Sequence, residues 1–342
     1  MYLAISDSEA IFIASTAHKP SQTTCIIDTN PRMASSTTTD LTALSQTLHH
    51  ETLAHSFDMK WTSLGCPTSP PLIFIHGTPW SSRVWTPFAL ALSRDFHVYL
   101  FDNPGFGDSP VEQLLLEVDF KPRDEVERLD ADLARQSSAF AALFKYWEET
   151  EDWAGKKAHV VAHDHGGLMS LRAYLLHGCA YASLCLIDVV AIGPFGQPLF
   201  KAVAQHPEFF EQLPNMAFEG ILESYIRSAA FTELPKEIVY MLKEPWLREG
   251  GKAGFIRQLC QAGSRSTEEV GGRYAEVGKS VPIKIIWGTQ DSWIDVADAT
   301  RLGDALEARK VVTIEGAGHL IMYDQPAQLG VELGMWLKNV SM

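Results

Sequence analysis

Ala162-His163-Asp164-His165-Gly166-Gly167 is the stretch whose reading decides this chain. It follows the apolar run His159-Val160-Val161-Ala162 and precedes an apolar helical pattern around residues 167–177. It therefore lies where a strand stops and a helix starts. A strained turn of this kind, holding one side chain at its tip, needs small residues two before and two after that tip. Ala162 and Gly166 supply them, and the residue at the tip is Asp164. No Gly-x-Ser-x-Gly occurs in the chain, so no serine competes for the position. The alternative is an aspartate that only caps the next helix.

Other short apolar runs surround this one. Leu72–Ile75 ends at His76-Gly77-Thr78-Pro79, and Phe96–Phe101 ends at Asp102-Asn103-Pro104-Gly105. Leu184–Val190, Ile283–Trp287 and Val311–Ile314 follow later. Helical spacing fills residues 125–147, 296–308 and 326–339 between or after them. Strands alternating with helices predict an α/β fold with a mostly parallel sheet covered on both faces. Residues 193–280 break the rhythm, with helical patches, many Pro and Gly, and no good strand. They are expected to form an inserted helical cap over the carboxyl ends of the strands, where such sheets bind ligands. The expected division is a flexible segment at 1–48, a core at 49–192, the cap at 193–280 and the rest of the core at 281–342.

Two further motifs carry chemistry. Trp287-Gly288-Thr289-Gln290-Asp291 places an acid just beyond a late strand, and Gly316-Ala317-Gly318-His319 places a histidine on the loop after the last one. Asp164, Asp291 and His319 occur in the chain order nucleophile, acid, histidine. With these four motifs, the chain resembles the α/β-hydrolase superfamily, and within it the epoxide hydrolase and haloalkane dehalogenase branch, from about residue 55 onward. The resemblance implies an α/β-hydrolase fold. It matches Asp164 to that branch's nucleophile, Asp291 to the charge-relay acid, His319 to the catalytic histidine and His76–Pro79 to the oxyanion motif. Asp188, after the preceding strand, is the alternative acid.

A carboxylate with an ordinary pKa near ~3.9 is ionised at neutral pH and needs no base to attack an sp³ carbon. His319 would then activate the water that cleaves the resulting ester, with Asp291 orienting the imidazole. The backbone N–H groups of Thr78 and His165 are the oxyanion candidates. His76, Trp80, Tyr225 and Tyr240 are candidates for the pocket. Cap tyrosines protonate the opening ring in epoxide hydrolases; Tyr225 and Tyr240 sit in apolar helical stretches, and Tyr274 is a third option. Many dehalogenases carry Trp after the nucleophile and a donor such as Asn in the oxyanion motif, where this chain has His165 and Thr78. That disfavours dehalogenation. An esterase, a lyase, a non-hydrolytic biosynthetic step and a non-catalytic binding protein are the remaining alternatives.

The bulk numbers exclude other classes. Lys+Arg number 28 against Asp+Glu 42, a net charge of −14, which repels nucleic acid overall. The five cysteines form no C-x-x-C pair and signal neither zinc nor a disulfide framework. His163-x-His165 lacks a well-spaced third metal ligand, so no metal or organic cofactor is expected. No apolar run reaches the ~20 residues of a membrane span, and no signal peptide or Ser-Lys-Leu terminus is recognised, so the expected setting is cytoplasmic. Met33 is an alternative translation start. The partner expected is a small, largely apolar molecule.

Overall fold

The computed structural model describes residues 40–341, apart from 53–54, 116–131, 152, 194, 197 and 261–264. Most of the expected flexible lead-in, with Met33 and Cys25, lies outside the described residues.

The strands are β1 (Gln46–Glu51), β2 (His55–Leu64), β3 (Pro71–Ile75), β4 (His97–Phe101), β5 (Gln113–Leu114), β6 (Ala158–His163), β7 (Tyr181–Ile187), β8 (Ile283–Gly288) and β9 (Lys310–Ile314). Their order across the sheet is β1-β2-β4-β3-β6-β7-β8-β9, with β5 pairing β2 off this path. From β4 to β9 every neighbouring pair is parallel; β1 and β2 are antiparallel. β3, β4, β6 and β8 are buried along their whole length, as continuous apolar runs covered on both faces must be. Lys284 and the histidines His97, His159 and His163 are the polar interruptions. The Lys284 ammonium lies 2.6 Å from Glu332 Oε2, so the charge is paired.

The helices are α1 (Thr86–Leu92), α2 (Leu133–Thr150), α3 (His165–His177), α4 (Pro198–Gln205), α5 (Pro207–Glu211), α6 (Asn215–Ser228), α7 (Lys236–Leu247), α8 (Gly251–Leu259), α9 (Arg265–Gly271), α10 (Tyr274–Ser280), α11 (Ala297–Ala305), α12 (Ile321–Asp324) and α13 (Pro326–Ser341). No described helix is long and apolar enough to cross a membrane. Two aromatic-rich cores lie on the two faces of the sheet. One joins α1 and α13 to the cap side chains Phe200, Phe218, Tyr225, Trp246 and Phe255. The other joins α2, α3 and α11 to the opposite strand faces.

Two boundaries differ from the expectation. Residues 46–48 belong to β1 rather than to a flexible lead-in. Residues 193–280 hold no strand among the described residues, but they do not pack as one unit. Helices α4 to α8 form the first core's roof. Val270, Tyr274 and Val277 of α9 and α10 pack into the second core, Arg172 of α3 bonds Glu269, and the Tyr274 hydroxyl donates to the Ala191 carbonyl. The roof thus ends near residue 260, and Tyr274 is a core residue.

Asp324 ties the roof to the last loop of the core. Its carboxylate accepts N–H bonds from Phe231 (2.9 Å) and Thr232 (2.8 Å) of the α6–α7 connection and from Gly318 (2.8 Å). The Leu320 N–H adds a bond to the Ala229 carbonyl.

Candidate active site

Asp164 leaves β6 with φ 52 and ψ −129, outside the ordinary regions for a non-glycine residue. Close approach explains the small residues around it. A Cβ on Gly166 would stand 2.8 Å from the His76 carbonyl oxygen, and one on Gly167 would run into the Val189 side chain. Asp164 makes no side-chain cap bond to α3, so the capping alternative lacks its defining contact. Gly167→Ala is expected to cost about 2 kcal/mol, because the helix start cannot retreat from Val189 without moving Asp164. A lower urea midpoint at unchanged slope would register this; wild-type stability would refute the packing argument.

The carboxylate meets three groups. The Thr78 N–H donates to Oδ2 at 2.6 Å, the His165 Nδ1 lies 3.3 Å from the same oxygen, and the His319 Nε2 lies 3.6 Å from Oδ1. Burial raises the pKa of Asp164, but the adjoining His165 and His319 outweigh it and hold the carboxyl well below its ordinary value. Of the two expected oxyanion donors, Thr78 is in place; from His165 it is the imidazole that approaches Oδ2.

His319 is fully buried, and its Nδ1 lies 2.9 Å from Asp291 Oδ2. The other Asp291 oxygen accepts from the Trp293 and Ile294 N–H groups at 2.7 and 3.0 Å, which fixes the carboxylate on the imidazole. Burial opposes protonation of His319, yet Asp291 and Asp164 together raise its pKa to about 10. Asp188 is buried beside this group, but its Oδ1 accepts from the Gly288 N–H and its Oδ2 has no partner among the described residues. Burial and the nearby Asp291 charge push its pKa well above the ordinary value. The Asp188 carboxyl is turned to Gly288, and the carboxylate that meets the His319 ring is that of Asp291.

The remaining candidates separate. His76 is held by backbone on both sides, its Nδ1 bonding the Gly77 carbonyl and its Nε2 accepting from the Asn103 N–H; it braces the oxyanion loop and does not line the cavity beside Asp164. Tyr240 is 61% exposed and lies away from the site. Tyr225 is buried; its hydroxyl has no partner among the described residues, and burial with the Asp164 charge pushes its pKa well above the ordinary value. Trp80 is buried and stacks on Trp293 at 5.7 Å.

Trp293 and His163 were missed in the sequence reading. Trp293 stacks on His319 at 4.9 Å and on Tyr225 at 4.3 Å, joining the cap tyrosine to the histidine. Its place two residues after Asp291 was the available signal. His163 donates from Nε2 to the His319 carbonyl at 2.8 Å, and burial lowers its pKa to about 3, so it braces the loop as a neutral ring. A cavity of about 30 Å³ touches Asp164, Thr78, His165, Phe195, Phe200 and Trp293. A larger one of about 590 Å³, near Ile192, Thr267 and Tyr274, contains none of the residues assembled around Asp164.

Fold and site define an α/β protein with a carboxylate elbow, a histidine and a second acid at the carboxyl edge of a parallel sheet. The chain belongs to the alpha/beta hydrolase family, which it matches over residues 72–330. An alpha/beta hydrolase fold protein from Burkholderia ambifaria is 32% identical with a TM-score of 0.72, covering 85% of this chain and 97% of that one. A pimeloyl-[acyl-carrier protein] methyl ester esterase of Aeromonas hydrophila is 25% identical over 76% of this chain and 92% of its own. Epoxide hydrolase A of Mycobacterium tuberculosis is 22% identical over 83% of this chain and 95% of its own.

Proposed function

We propose that the protein is an epoxide hydrolase-like enzyme that works through an ester on Asp164. The observation that carries this reading is the unpartnered Tyr225 hydroxyl, buried within electrostatic reach of Asp164 on a ring that stacks against Trp293, itself a wall of the cavity beside Asp164. An ester substrate has no use for a buried acid of this kind, because the oxyanion N–H groups hold its developing charge. The opening of an epoxide leaves an alkoxide that must be protonated at once. The partial likeness to the Mycobacterium epoxide hydrolase points the same way.

The steps balance as follows. An Asp164 oxygen attacks an epoxide carbon and the C–O bond of the ring breaks. Tyr225 gives its proton to the departing oxygen and regains one from water, while the protonated His319 releases its own proton to water, so the charges balance. Esterification removes the Asp164 charge, one of the two anions that hold His319 protonated, so the imidazole is left neutral when it is needed as a base. It then takes a proton from water, whose oxygen adds to the ester carbonyl while the Thr78 N–H stabilises the oxyanion. Collapse expels the second product oxygen, which takes the proton from His319. The Asp164 carboxyl then passes its own proton to His319, and the resting state returns.

A single turnover of an epoxide in ¹⁸O-water tests this. The first diol formed should carry unlabelled oxygen, and the label should appear in the peptide that contains Asp164. Direct incorporation of label into the first diol overturns the covalent route. Tyr225→Phe is expected to slow epoxide opening about 10²- to 10⁴-fold; full activity in this variant removes the argument for an epoxide.

A further inference from the structure

Neither ring nitrogen of His165 has a hydrogen-bond partner among the described residues; only Nδ1 approaches a charged group. Its side chain is 7% exposed, its Nδ1 faces Asp164 Oδ2 at 3.3 Å, and its Nε2 has no hydrogen-bond partner among the described residues. Phe195 and Phe200 hold the ring at centroid distances of 5.9 and 6.4 Å. The same imidazole lines the small cavity against Asp164. A buried polar nitrogen left unpaired is costly, so a site that keeps one has a partner for it in the bound state.

We propose that Nε2 of His165 binds a hydroxyl on the carbon next to the one that Asp164 attacks, so that the substrate class is a 2,3-epoxy alcohol. The inference rests on the epoxide reading above. A hydroxyl both donates and accepts, and therefore satisfies Nε2 whether or not the ring is protonated. A carboxylate in the same place would lie against the Asp164 anion, a like-charge contact in a buried site. His165 and Asp164 line the same cavity, so a group held by the His165 ring lies beside the attacking carboxylate.

The test compares glycidol with 1,2-epoxybutane, in which a methyl group replaces the hydroxyl at nearly the same volume. In the wild type, kcat/KM should favour glycidol by about 100-fold or more, since a site built to bond a hydroxyl rejects the analogue lacking it. His165→Asn keeps an amide near the Nδ1 position and removes Nε2, and should bring the two compounds within a few-fold of each other. His165→Gln places an amide near Nε2 and should keep part of the preference. Equal use of both compounds by the wild type, or an unchanged preference in His165→Asn, overturns the proposal. An equal loss for both compounds assigns Nε2 to the hydrolytic water instead and also overturns it. Ester trapping on Asp164 in His319→Gln separates the two levels. Trapping without a hydroxyl preference sinks only this inference. If neither compound nor a longer 1,2-epoxyalkane is trapped, the epoxide reading fails and this inference falls with it.

Discussion

His319→Gln is expected to form the Asp164 ester and stop there. The attacking carboxylate is ionised without a base: its neighbours hold its pKa well below the ordinary value against the effect of burial, and His165, the largest of these, remains in the variant. The variant should therefore consume no more than one equivalent of epoxide per site, retained as the ester, while its steady-state turnover falls by about 10⁴-fold or more. Intact mass should rise by the mass of one epoxide, and digestion should place the adduct on Asp164. Ester formation itself should slow only modestly, because Tyr225 can recover its proton from water. Asp164→Asn should give no adduct, since a neutral amide is a poor nucleophile. In a serine-type triad the histidine activates the nucleophile, and its loss blocks both halves. A folded His319→Gln that yields neither adduct nor burst with a substrate the wild type turns over would sink the mechanism. Near-normal turnover in Asp164→Asn would return Asp164 to a structural role.

Asp291→Asn should lower turnover about 10³- to 10⁴-fold, the usual effect of disorienting the histidine. Asp188 cannot take over, because its Oδ1 accepts from the Gly288 N–H and burial disfavours its charge. The substitution also has a signature in stability. The pKa of His319 rises from an ordinary 6.5 to about 10 in the folded protein. A raised histidine pKa means that the folded state holds a proton the unfolded chain has lost between those limits. Its stabilising contribution is complete below pH 6.5 and disappears as pH rises toward 10. Urea midpoints of the wild type should fall across that window relative to His319→Gln, and Asp291→Asn should flatten the fall. A wild-type difference that stays level over the same range contradicts the ion pair. Restored activity in Asp291→Asn through Asp188 would reverse the choice of acid.

The parallel strands were legible because both of their faces are covered. Leu72–Ile75 and Ile283–Trp287 read as strands from apolar continuity alone, even with Lys284 in the second, whose charge is met by a distant residue, Glu332. The β1–β2 hairpin was not legible. It lies at the antiparallel edge, and Gln46–Glu51 is largely polar and half-exposed, so no apolar run marks it. The helices from 198 to 280 were recognised as helices, but periodicity names a buried face and not what buries it. Hence α9 and α10 were grouped with the roof although they pack on α3 and its surroundings. The same limit separates the tyrosines. Tyr225 and Tyr240 lie in similar amphipathic patterns, yet one is buried against Trp293 and the other is 61% exposed. The elbow and the order of Asp164, Asp291 and His319 were readable because each stands at a strand end, where the fold leaves little freedom. The outlook of the His165 ring depends on Phe195 and Phe200, contacts that no local motif records.

Asp324 bears on how far such a protein can be taken apart. One carboxylate holds both the turn that starts the second half of the roof and the loop that carries His319. The two parts are thus registered to a common point, like two leaves on one pin. A roof transplanted from another family member would need backbone N–H groups at the places of Phe231 and Thr232, or the histidine would lose its alignment even with every chemical group intact. Exchange of the segment around α4, where no such pin is found among the described residues, leaves that alignment undisturbed. Variation in what the protein accepts has its freest ground there.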